Sequence, residues 1–133
     1  MEYLPGKEYS VDAIMYKDQF YCVVRSRDET INGISSKCTI HNIDELENYS
    51  KLIYKKLEFV SLVNLQFRQD CNGKYKLLEI NPRIPGGIGF SMMAGIDMLK
   101  IAFCKYFQLG LEDFEIQPAY GLTIEKKWKL IKY

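Results

Sequence analysis

The dipeptide Asn72-Gly73 constrains this chain more than any other feature in it. It lies between two extended runs, Val60 to Gln69 and Lys74 to Arg83. Both residues accept the positive φ of a type I′ turn, so the pattern predicts a hairpin closed by a two-residue loop. Cys71 then faces Lys74, and counting outward sets Gln66 opposite Glu79 and Asn64 opposite Asn81. Strand side chains alternate faces, so Asn64, Gln66 and Arg68 share one face with Glu79, Asn81 and Arg83. Val63, Leu65 and Phe67 meet Leu78 and Ile80 on the other, a dry core.

The rest of the chain supplies partners for that hairpin. Glu8 to Tyr16 and Gln19 to Arg27 read as strands around a turn at Lys17-Asp18, and Asn32-Gly33 falls in a polar loop. Lys37 to His41 is a short third strand. Asn42 with Glu45 has the capping-box pattern, and Leu46, Tyr49, Ile53 and Leu57 recur at helical spacing, which predicts a helix from about Ile43 to Leu57. A second helix is expected from about Ile96 to Gln108, with Leu99, Ala102, Phe103 and Tyr106 as its buried stripe. Tyr120 to Tyr133 reads as a last strand. The fold class is α+β, a mainly antiparallel sheet flanked by two helices, in one domain spanning residues 1–133.

Composition removes several function classes. A formal net charge of +1 offers no field for nucleic acid or an anionic membrane. No apolar stretch is long enough to span a bilayer, and the polar N-terminus is no signal peptide. Cys22, Cys38, Cys71 and Cys104 are scattered, and with His41 the lone histidine a zinc site of the usual kind is not expected. Free thiols in a reducing cytoplasm are the simpler reading. Arg25 and Arg27 read as solvated strand charges, His41 as structural, and Met92 and Met93 as packing.

The polar face of the hairpin has two readings. One is an outer sheet face turned to water. The other is an all-oxygen donor set, two amides and a carboxylate, suited to Mg²⁺ held together with substrate phosphates, with an arginine nearby to neutralise a phosphoryl group. The spacing alone does not choose between them.

The segments NLQF (Asn64 to Phe67) and EINPR (Glu79 to Arg83), with the glycine-rich stretch that follows, resemble the ATP-grasp superfamily. The resemblance is to the ATP-binding halves of carbamoyl-phosphate synthase large subunits and related carboxylate–amine ligases, and in particular to the C-terminal lobe of the ATP-grasp fold. It implies ATP and Mg²⁺ (or Mn²⁺) as cofactors, with Gln66, Glu79 and Asn81 as metal ligands. It further implies that Asn81 and Arg83 serve phosphoryl transfer and Arg83 the acyl-phosphate intermediate. EYLPGKEYSVD (Glu2 to Asp12) is similar to the family's hinge, which implies Glu2, Tyr3 and Leu4 beside adenine, Leu78 as a further nucleotide contact, and Glu8 on the ribose hydroxyls. Gly86, Gly87 and Gly89 would shape a substrate loop, and specificity would lie partly in Ile84 to Gly95.

The resemblance implies an ATP-dependent ligase that activates a small carboxylate for attack by an amine or thiol. The lobe that carries the family's flexible glycine-rich loop would precede Glu2. The chain is therefore expected to work with that lobe supplied in trans, or by self-association, and to be a feeble catalyst alone. The competing expectation is a non-catalytic nucleotide-binding or assembly module.

Overall fold

The computed structural model describes residues 3–111, 117–127 and 132. Three strands open the chain as consecutive antiparallel neighbours: β1 (Glu8–Tyr16), β2 (Gln19–Ile31) and β3 (Ile34–His41). Helix α1 (Asp44–Lys56) follows, then β4 (Val63–Gln69) and β5 (Tyr75–Asn81). Two helices, α2 (Ile88–Met93) and α3 (Met98–Phe107), precede a short β6 (Thr123–Glu125). The order across the sheet is β5-β4-β1-β2-β3-β6, every pair antiparallel.

Two hairpins use tight two-residue turns. Lys17-Asp18 joins the pair Tyr16 and Gln19, and Asn32-Gly33 joins Ile31 and Ile34, all four turn residues holding positive φ. Asn32-Gly33 is thus the I′-type hairpin, not a loose loop. The Asn72-Gly73 turn is longer than expected. Gly73 holds φ +77° while Asn72 is not in the positive region, and Asp70 N–H donates to Lys74 O at 2.9 Å across a three-residue loop. The Asp70 carboxylate organises it, accepting from the N–H groups of Asn72 at 2.8 Å and Lys74 at 2.9 Å. A bulge at Leu78 then restores the count, so Gln66 pairs with Glu79 and Asn64 with Asn81 as expected, while Phe67 pairs with Leu77. Leu78 is consequently 42% exposed and not part of the core, and Ile80 and Tyr75 pack there instead.

Each sheet face has its own cover. Tyr9, Val11, Ala13, Val24, Val63, Leu65 and Phe67 lie on one face with Leu46 and Tyr54 of α1. Ile14, Tyr16, Tyr21, Val23, Cys38 and Ile40 lie on the other with Phe90 of α2 and Met98, Ile101 and Cys104 of α3.

Both helices turn by about one position from the expected stripes. In α1 Leu46, Ser50 and Tyr54 are buried, while Tyr49 and Leu57 are exposed. Its N-cap is Ile43 without a side-chain bond, so Asn42 makes no capping box. The first turn carries Asp44, Glu45 and Glu47 and the last turn Lys55 and Lys56, which matches the helix dipole. In α3 the buried residues are Met98, Ile101 and Cys104, whereas Phe103 is exposed and Tyr106 is 81% exposed. Asp97 caps α3 by accepting from Lys100 N–H. Of the last strand expected over Tyr120 to Tyr133, Thr123–Glu125 is observed, and residues 128–131 and 133 lie outside the described residues.

Among the described residues no helix is long and apolar enough to cross a membrane. Replacing Ile101 with Ala should cost about 2–5 kcal/mol in chemical denaturation, as for other buried aliphatic truncations. Tyr106→Ala should stay within about 0.5 kcal/mol of the parent, as for other exposed positions.

Candidate functional site

Helices α2 and α3 cover only part of their sheet face. Toward the start of β1 the same alternation that buries Ile14 and Tyr16 presents Glu8, Ser10 and Asp12 instead. Strand pairing sets Arg25 opposite Ser10, Gln66 opposite Ser10 on the other side, and Asn64 opposite Asp12. Polar groups from β1, β2, β4 and β5 therefore meet on one face.

The centre of this group is a buried ion pair. Arg25 Nη1 donates to Asp12 Oδ2 at 2.5 Å, with the side chains 2% and 0% exposed. Asp12 also accepts from Ser91 Oγ of α2 at 2.6 Å and from Asn64 Nδ2 at 2.7 Å, and Asn64 reaches Ser10 Oγ at 2.7 Å. Both oxygens of the acid are thus matched by donors, two on Oδ2 and one on Oδ1, the condition under which a buried charge is tolerated. Arg25 Nε is the exception, buried without a partner. Such an orphan donor costs about 1–3 kcal/mol.

Arg27 holds the outer layer. It pairs with Glu8 through Nη1, which also donates to Gln66 Oε1 at 3.1 Å, while Nε donates to Ser35 Oγ at 3.2 Å and Nη2 to Gly33 O at 2.5 Å. Neither Arg25 nor Arg27 is a solvated strand charge, which corrects the expectation from sequence. A lone acid in VDAIM and a lone arginine in CVVRS carried the same signal as Glu79 in LLEIN: charge inside an apolar strand.

A cleft of about 190 Å³ lies over these residues, lined by Ser10, Arg25, Arg27, Asn64, Gln66 and Arg83 together with Ser35 and the Pro85–Gly87 stretch. Three guanidiniums line it, and since Arg25 and Arg27 are ion-paired with Asp12 and Glu8, its pull on an anion rests chiefly on Arg83.

The expected site residues fall into three groups. Asn64, Gln66, Glu79 and Asn81 stand together as two cross-strand pairs, with Glu79 exposed on the edge strand. Arg83 is exposed at the cleft, its N–H donating to Asn81 O at 2.8 Å. In the hinge-like segment Leu4 is buried and Tyr3 is 83% exposed, while Glu2 lies outside the described residues. Glu8 is on the site face, bound by Arg27, and Leu78 sits at the bulge on the edge.

Among the described residues no cluster of three or more His, Cys, Asp or Glu could hold a metal. One carboxylate and two amide oxygens on adjoining strands fit Mg²⁺ shared with phosphates, the usual form of magnesium binding, and not a closed protein cage. Gln66 Oε1 would have to leave Arg27 to take part.

Burial makes two of the cysteines poor nucleophiles. Burial pushes Cys22 up to about 12, helped by Glu47, and Cys38 up to about 11, and all four thiols are free. Burial, with Lys7 nearby, holds His41 below its usual value, and its Nε2 bonds Ser26 Oγ at 3.0 Å. Its role is structural.

Fold and site together are an antiparallel sheet with an amide–carboxylate strand pair beside an arginine cleft. The family described as "ATP-grasp in the biosynthetic pathway with Ter operon" matches residues 1–127, and the chain belongs to that ATP-grasp family. It is similar to the carbamoyl phosphate synthase large chain of Helicobacter pylori, 33% identical over 105 residues, covering 71% of this chain and 10% of that protein. The same enzyme chain of Clostridium acetobutylicum is 30% identical over 89 residues, covering 66% of this chain and 8% of that one. This chain therefore spans about a tenth of the length of these relatives. Among solved structures, an ADP complex of N5-carboxyaminoimidazole ribonucleotide synthetase superposes with a TM-score of 0.73 at 18% identity, over 91% of this chain and 34% of that one. The phosphoribosylaminoimidazole carboxylase ATPase subunit of Aquifex aeolicus gives 0.70 at 16% identity, over 83% of this chain and 35% of that one. At these identities the structural likeness speaks for the fold.

Removing the acid of the central pair strands a buried guanidinium. Asp12→Ala should cost about 3–5 kcal/mol in urea denaturation, and Asp12→Leu combined with Arg25→Met should recover much of that loss.

Proposed function

We propose that this chain is the ATP- and Mg²⁺-binding lobe of an ATP-dependent carboxylate–amine or carboxylate–thiol ligase working through an acyl phosphate. One observation carries the reading above all others: Gln66 and Glu79 are direct strand partners, with Asn64 and Asn81 the next pair, beside a cleft lined by Arg25, Arg27 and Arg83. Bound Mg²⁺ supplies charge neutralisation for the phosphates. Gln66, Glu79 and Asn81 hold it, and Arg83 faces the transferring group. Phosphoryl transfer depends on positioning and electrostatics and not on a covalent nucleophile, which agrees with the raised pKa of the buried thiols Cys22 and Cys38.

Tyr3 and Leu4 border the adenine in this reading, with Leu78 at the edge, and Glu8 accepts from the ribose hydroxyls. Glu8 must then give up Arg27, which frees that guanidinium to meet phosphate. The remaining lobe of the phosphate clamp comes from another part of the enzyme or another chain, and the small carboxylate completes the partners. A cytoplasmic location accords with the four free thiols.

The second reading is a non-catalytic nucleotide-binding or assembly module. It is favoured by the way Arg27 satisfies Glu8, Gln66, Ser35 and Gly33 at once, a network complete without a ligand.

Calorimetric titration of the chain with Mg²⁺-ATP tests the assigned metal residues, and ATP hydrolysis with candidate acids, after the missing lobe is supplied, separates the two readings. Binding that weakens by about tenfold or more in a Glu79→Gln, Asn81→Ala variant, equivalent to about 1.4 kcal/mol, supports the assigned metal residues. Equal affinity in parent and variant would contradict the assigned metal residues.

A further inference from the structure

Arg27 divides its hydrogen bonds between two parts of the sheet. Nε and Nη2 donate to Ser35 Oγ and Gly33 O, on the hairpin that joins β2 to β3. Nη1 reaches the other way, to Glu8 on β1 and to Gln66 on β4. One nitrogen thus ties together two oxygens assigned to different parts of the ligand, Glu8 to the ribose hydroxyls and Gln66 to the metal. Arg68 stands opposite Glu8 in the strand register, but its Nε donates to Gly6 O. The cation bound to Glu8 is Arg27.

This arrangement sets a competition. The Arg27 and Glu8 side chains are 12% and 24% exposed, so water screens their attraction only in part. Their bond carries charge on both sides, whereas the Nη1 bond to the Gln66 amide, at 3.1 Å, is charged on one side alone. The pair with Glu8 therefore holds Nη1 in place, and the bond to Gln66 depends on it. A cation seated at Gln66 would also stand beside a guanidinium if Arg27 stayed, and like charges repel at that range. Either ligand alone must open the Nη1 arm, and the second then meets a site already open. The bonds to Ser35 and Gly33 keep the released guanidinium on the hairpin wall of the cleft.

We infer that Arg27 is a latch that couples nucleoside binding to metal binding through the protein, with no phosphate needed between them. The inference rests on the ligase reading and adds a regulation of that same site. In the empty lobe the ribose acid and the metal amide are both closed on Arg27. A nucleoside that draws Glu8 away frees Gln66 for the cation, and a cation that takes Gln66 frees Glu8 for the ribose. Linkage makes the two effects equal in size.

The test measures Mn²⁺ binding to the whole chain by calorimetry, alone and with adenosine, which has no phosphate to bridge to the ion. Adenosine should tighten Mn²⁺ by about fivefold or more, and Mn²⁺ should tighten adenosine by the same factor. Arg27→Gln, with an unchanged circular dichroism spectrum, should bind Mn²⁺ alone more tightly than the parent and should lose the coupling. In the parent, where no variant has to fold, adenosine alone should shift the Gln66 side-chain amide signal. Mn²⁺ affinity indifferent to adenosine overturns the inference, and so does an unmoved Gln66 signal or an absence of Mn²⁺ binding. Coupling that survives Arg27→Gln also overturns it, because the ligands would then be touching directly. A titration with Mn²⁺ and a non-hydrolysable ATP analogue keeps the latch and the ligase reading apart. If the analogue brings Mn²⁺ to Gln66 and Glu79 while adenosine leaves Mn²⁺ affinity unchanged, the latch falls and the ligase reading stands. Coupling by adenosine without binding of the analogue upholds the latch and sinks the ATP reading.

Discussion

The buried pair of Asp12 and Arg25 holds the end of the sheet on which the candidate residues Glu8, Gln66, Glu79 and Asn81 stand. Two charges removed from water gain little net stability, because desolvation offsets most of their attraction. Their effect here is positional. Asp12 binds Arg25, Asn64 and Ser91 at 2.5–2.7 Å and so ties β1 to β2, β4 and α2 through one side chain. The Gly87 backbone then lies close over the guanidinium, where a Cβ would stand 2.7 Å from Nη2. Position in the cleft follows from that anchor.

The sheet's two faces explain why a site exists at all. One face is apolar along its length and is covered by α1. The other changes character along β1 and β2, from Ile14, Tyr16, Tyr21 and Val23 to Glu8, Ser10, Arg25 and Arg27. Helices α2 and α3 pack mainly on the apolar half, and Ser91 of α2 reaches from there to Asp12. The uncovered half keeps its polar groups at the rim of a hydrophobic core, where water is partly excluded and charge interactions strengthen. Membership of the ATP-grasp family agrees with this division, and the proposed Mg²⁺-nucleotide contacts fall on the uncovered half.

Much of this was legible from residue patterns, though not always for the reason first assigned. Gln66 does face Glu79, but the hairpin closes with a three-residue loop, and the bulge at Leu78 cancels the extra residue. Strand length and turn chemistry do not disclose a bulge, so Leu78 was placed in the core when it stands at the edge. Helix stripes drifted because Phe103, Tyr106 and Tyr49 are apolar enough to satisfy a periodic template while facing outward. Asp12 and Arg25 were missed because charged strand residues are usually solvated, and only the cross-strand partners show that they neutralise one another. Conversely, the hairpin polar set and the glycine-rich stretch carried the family resemblance directly, since these residues are close in sequence as well as in space.

The central claim is that the polar end of the sheet holds a divalent cation together with nucleotide phosphates. Substituting Mn²⁺ for Mg²⁺ in the presence of a non-hydrolysable ATP analogue turns that claim into a distance measurement through paramagnetic broadening. The account predicts strong broadening of the Gln66, Glu79 and Asn81 amide signals, with those of α1 on the opposite face left sharp. Broadening centred elsewhere, or none on β4 and β5 while the analogue is bound, would contradict it.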